Sequence, residues 1–64
     1  MTKDYYMNQA QEIITAGLYK QAVNLMDDDI REALHFKMSP CSDTDFLAAY
    51  MLEHYKKYDT DFTI

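Results

Sequence analysis

Apolar residues recur at three- and four-residue spacing along most of this chain, which predicts helices. Tyr6, Ala10, Ile13, Ile14 and Gly17 form a first stripe, giving a helix over about Lys3 to Ala16. Thr2 is placed to cap it, and Asp4 suits its first turn. Gly17 is the natural stop, since glycine enters the left-handed region without a Cβ clash, and Leu18 then falls where a Schellman motif expects an apolar contact back to Ile13. A second stripe, Tyr19, Ala22, Val23, Met26, Ile30, Ala33, Leu34 and Lys37, runs without a phase break. It favours one helix over 19–38, with Asp27 paired to Arg31. The competing reading splits the segment: three consecutive aspartates disfavour helix interior, and Asp29 with Glu32 would make a capping box.

Pro40 restricts Ser39 to extended backbone and ends that segment. Ser42 is the best cap for the last helix, with Asp45 at its third position and Cys41 and Phe46 at the two staple positions. Ser39 capping a helix that begins at Pro40 is the alternative. This helix covers about Asp43 to Tyr58, its stripe Leu47, Tyr50, Met51, His54 and Tyr58 flanked by Phe46 and Tyr55. Lys56 and Lys57 complement the dipole in its last turn. Phe62 and Ile64 alternate with polar residues, a pattern suited to a short extended C-terminal tail. The fold class expected is all-α: a small bundle of three helices, or four if 19–38 divides. Tyr6, Ile13, Ile14, Val23, Met26, Ile30, Leu34, Phe46, Leu47, Tyr50 and Met51 are the candidate core.

Sixty-four residues give one domain, 1–64, with a core of marginal size. One glycine and one proline leave few loops, and a hydrophobic share of 48% excludes a disordered chain. The single cysteine, Cys41, forms no internal disulfide and fits a reducing cytoplasm. No apolar run reaches the length that spans a bilayer, and the N-terminus lacks a signal-peptide stretch. A net charge of −5 argues against direct DNA or RNA binding and against anionic membranes, and it favours either a basic protein surface or simple solubility.

Asp27, Asp28, Asp29 and Glu32 form the densest charge cluster. Consecutive helical positions fan out by about 100° each, so these acids do not converge on a cation. They make a solvated face or a contact surface for arginine and lysine. His35, Cys41 and His54 have ligand chemistry but irregular spacing, and no metal or other cofactor is expected. Cys41 lacks a placed base and an oxyanion site, and no phosphate loop or catalytic triad occurs, so no catalytic residue is assigned. Six tyrosines exceed what so small a core hides. Those left outside, Tyr5 and Tyr55 among them, are interface anchors or amphipathic rim.

Gly17-Leu18-Tyr19-Lys20-Gln21-Ala22 resembles the helical turn of tetratricopeptide repeats, which implies a helical hairpin. The segments LMDDDIRE and PCSDTDFLAAY resemble short acidic proteins of prophages and other mobile elements of Gram-positive bacteria. Asp59 stands where that resemblance expects a glycine. The context it implies holds many small inhibitors of host defence nucleases, including anti-CRISPR and antirestriction proteins, some of which imitate nucleic acid. The expected function is then a non-enzymatic inhibitor in the host cytoplasm. It would offer Asp27, Asp28, Asp29, Glu32 and Asp43, with Tyr5 and Tyr55, to a basic protein. The rival is a plain interaction module or homodimer with a tyrosine-rich interface.

Overall fold

A computed structural model describes residues 3–38 and 41–64. It contains four helices and, among the described residues, no strand: α1 (Lys3–Thr15), α2 (Tyr19–Leu25), α3 (Asp28–Met38) and α4 (Asp43–Tyr58). The expected roles of Thr2, Ser39 and Pro40 lie outside the described residues.

The turn after α1 forms as its sequence predicts. Gly17 has φ +76°, its N–H donates to Ile14 O at 3.0 Å, and the N–H of Leu18 donates to Ile13 O at 3.0 Å. These are the two bonds of a Schellman motif, and they satisfy carbonyls that the helix end leaves open. Ser42 caps α4 as expected, its Oγ accepting from Asp45 N at 3.1 Å.

The unbroken helix over 19–38 does not form. Met26 is extended (φ −68°, ψ 145°), and α3 restarts at Asp28. Its cap is Asp27, two positions before the Asp29 that the split reading favoured. Asp27 Oδ1 accepts from Asp29 N at 2.9 Å and from Ile30 N at 3.3 Å. Here the short carboxylate wins the backbone donors that helix continuation would have used. The apolar stripe stays in phase because Ala22, Met26, Ile30 and Leu34 are all buried on one side of the broken segment.

The two helices packed on α4 are α1 and α3, and α2 rests on α1. Gln11 meets Thr44 and the α1 residue Tyr5 lines a cavity with the tail, so α1 and α4 run antiparallel. Phe46, Leu47, Ala48, Tyr50 and Met51 make α4 the core element. Most of the expected core is buried. Ile13, Ile14 and Val23 are half-buried at its edge instead. Ala10, Ala22 and Ala48 are buried as well, and such small side chains let helices approach closely.

Candidate protein-binding surface

The α2–α3 junction brings together residues from α3 and the C-terminal end of α4. The Asp27 N–H donates to the Tyr50 hydroxyl at 2.7 Å. Lys57 Nζ donates to Asp27 Oδ2 at 3.0 Å, and the Tyr58 hydroxyl donates to the same oxygen. With Oδ1 capping α3, both carboxylate oxygens are occupied, and the side chain is only 16% exposed. The hydrogen bond from Tyr58, then that from Lys57, hold the Asp27 carboxyl far below the ordinary carboxylate range. The bond to Asp27 in turn raises the Lys57 ammonium, while burial raises the Tyr50 phenol. Asp27 is thus a tie between α3 and α4, not an open surface acid. Nor does it pair with Arg31, which reaches Asp28 Oδ1 at 2.9 Å instead.

The other acids of the run stand outside this knot. Asp28 and Asp29 have side chains 80% and 90% exposed, and Glu32 is exposed. Arg31 holds Asp28, and Lys57 comes only to 4.0 Å of Asp29. Such contacts at exposed sites contribute little to stability. Both aspartates lie in the first turn of α3, where they favour the helix dipole.

Asp43 is not part of this cluster. It begins α4, roughly 20 Å along the helix from Lys57 at ~1.5 Å per residue. There it lines a cavity of ≈ 190 Å³ with Tyr19, His35 and Cys41. Tyr5 and Tyr55 fall in a third region. Tyr5 meets Tyr6 edge-on at 5.3 Å and lines a cavity of ≈ 300 Å³ between α1 and the tail. Tyr55 is partly exposed on α4. The seven sequence-picked residues therefore divide among the α3–α4 knot (Asp27), the exposed α3 face (Asp28, Asp29 and Glu32), the start of α4 (Asp43), and the α1–α4–tail side (Tyr5 and Tyr55).

The tail packs through Phe62, which meets Tyr50 edge-on at 4.8 Å, while Ile64 is exposed. His54 is half-buried, its Nδ1 3.1 Å from Thr60 O. Asp59 takes the left-handed conformation (φ 57°, ψ 28°) that would suit glycine. Among the described residues, no group of three or more histidines, cysteines and acids is placed to hold a metal ion, and no helix is long and apolar enough to cross a membrane.

Sequence reading missed Phe36, which is 93% exposed on α3. The available signal was phase: Phe36 is the one large apolar residue of 28–38 that falls off the Ile30–Leu34 stripe onto the acidic face.

No curated protein and no solved structure matches the chain. A family model described as "Anti-CRISPR protein AcrIC5" matches residues 6–62, which takes in all of α2, α3 and α4 and most of α1. The chain belongs to the AcrIC5 family of anti-CRISPR proteins.

Proposed function

We propose that this chain is a non-enzymatic inhibitor that binds a protein component of a CRISPR system in the host cytoplasm. The contact surface is the α3 face bearing Asp28, Asp29 and Glu32, set against arginine and lysine residues that otherwise hold nucleic acid. The observation that carries this reading is the exposure of three neighbouring acids that the fold does not need, beside a fourth, Asp27, that it does. Family membership supplies the protein partner. The charge pattern supplies its sign, because matched potentials steer encounter and exclude wrong partners.

A second reading places the contact on Tyr5 and Tyr55, or makes the chain a homodimer through them. Both residues are more than a third exposed.

The test is plaque formation on a host whose CRISPR system targets the infecting phage. The wild-type chain should restore plaques. A triple variant, Asp28→Asn, Asp29→Asn and Glu32→Gln, should lose at least about tenfold of that protection while remaining folded. Undiminished protection by a folded triple variant would overturn the acidic reading, and loss of protection in a Tyr5→Ala, Tyr55→Ala variant would then place the surface on the tyrosines.

A further inference from the structure

Phe36 lies on the same side of α3 as two of the acids. At ~100° per residue, Asp29, Glu32, Ala33 and Phe36 fall within about 100° of one another, and Ile30 and Leu34 occupy the side that is buried. From Asp29 to Phe36 is seven residues, or roughly 10 Å along the axis. Other exposed apolar side chains keep a larger share of their surface against the fold: Leu25 is 59% exposed and Tyr58 47%, against 93% for Phe36. Phe36 thus contributes almost nothing to the packing of its own chain.

We infer that Phe36 is the apolar anchor of the α3 surface, entering a shallow apolar pocket on the protein partner whose rim carries arginine or lysine. This rests on the reading that α3 is the contact face. Charge complementarity selects the occupant. A pocket that receives Phe36 lies within one or two helical turns of Glu32 and Asp29, and a rim of basic side chains is what those carboxylates match. Arginine on such a rim also gains from the aromatic face. A ring that becomes fully desolvated on binding, beside carboxylates that stay at the edge of the contact, is placed as an energetic hot spot is. A second copy of this chain fits less well, since each copy carries −5 and a two-fold contact through this strip gathers like charges. An anionic membrane surface is repelled by the same acids.

The probes are the purified subunits of the CRISPR effector complex that the wild-type chain inhibits, titrated one at a time at low and high salt. Phe36→Ala should keep the wild-type melting temperature, because the ring touches little of its own fold. It should weaken binding at least about tenfold at both salt concentrations, with the salt slope unchanged. Phe36→Leu should retain part of the affinity. Phe36→Ala binding within about twofold of wild type, at the scale of a non-hot-spot contact, overturns the anchor. If Phe36→Ala weakens binding while the Asp28, Asp29 and Glu32 triple variant does not, the acidic reading fails and takes the basic rim with it, which overturns the inference as stated and leaves Phe36 in an uncharged contact. The reverse result fails the anchor and keeps the acidic reading. A wild-type dimer that Phe36→Ala dissociates in sedimentation makes a second copy the occupant and overturns the inference. Binding of the wild type to none of the subunits overturns both readings.

Discussion

Asp27 and Asp29 are two residues apart, chemically identical, and employed in opposite ways. Asp27 is a closed node: its N–H and both carboxylate oxygens are taken by Tyr50, Lys57, Tyr58 and the first turn of α3. Asp29 is open, 90% exposed, with a cation no nearer than 4.0 Å. What differs is the register of each residue relative to α4. A carboxylate at the helix break faces the α4 terminus, and one at the second helical position faces solvent. A run of like charges in sequence is therefore not one surface. Its first member belongs to folding and the rest are available for binding.

The sharpest way to break this comparison is Asp27→Ala. It removes the α3 cap and leaves Lys57 and Tyr58 without their shared acceptor, so the melting temperature should fall by roughly 8 °C or more. A fall no larger than that of an exposed-site variant would show that Asp27 is as dispensable as Asp29. Tyr50→Phe attacks the same node from α4. It strips the acceptor from the Asp27 N–H and should cost about 1–2 kcal/mol, read by denaturant unfolding. An unchanged midpoint would mean that this amide is satisfied some other way.

Gly17→Ala is the control at the other helix junction, which is closed by backbone alone. With φ +76° and nothing within 4 Å of an added Cβ, the cost is conformational, about 1 kcal/mol, with no steric part. A variant at or above the wild-type melting temperature would contradict the left-handed stop.

Asp27→Asn separates charge from capping, since asparagine caps as well as aspartate. Its effect should depend on pH. The folded Asp27 carboxyl titrates below its ordinary value of 3.8. Its stabilisation is therefore complete above that value and is lost as pH falls through it towards the folded value. The gap in melting temperature between wild type and Asp27→Asn should be widest near neutral pH and should close below about pH 4. A gap that does not change with pH would remove the ionic part of the account. The smallest expected change in stability belongs to the triple variant of Asp28, Asp29 and Glu32. Lost dipole and Arg31 interactions are offset by relief of the Asp28–Glu32 repulsion, leaving a shift within about 2 °C.

The parts of this fold legible in the sequence are those whose partners are close in the chain. The Gly17 stop closes onto Ile13 and Ile14, and the Ser42 cap reaches Asp45. The left-handed turn at Asp59, which bonds back to Tyr55 O at 2.8 Å, was not legible, because aspartate stands there in place of the glycine that conformation favours. Asp27 was misread because what holds it lies 23 to 31 residues away in Tyr50, Lys57 and Tyr58. The in-phase stripe from Ala22 to Leu34 also concealed the break, because both short helices bury the same spacing. The acids were visible as a cluster, but not that Asp27 is tied into the fold while its neighbours stay exposed, nor that Asp43 begins α4 at the end opposite Lys57, ~20 Å along the helix. Phe36 was passed over because periodicity identifies what is buried, and its information lies in not being so.

The central claim is that Asp28, Asp29 and Glu32 form a charge-reading surface while Asp27 does not. It is tested most directly by the salt dependence of binding to the purified CRISPR subunit, comparing wild type with the triple variant. Wild-type affinity should fall steeply as salt rises. The triple variant should bind more weakly at low salt and lose most of that slope, with its melting temperature held. A triple variant with wild-type affinity and the wild-type salt slope would contradict the claim.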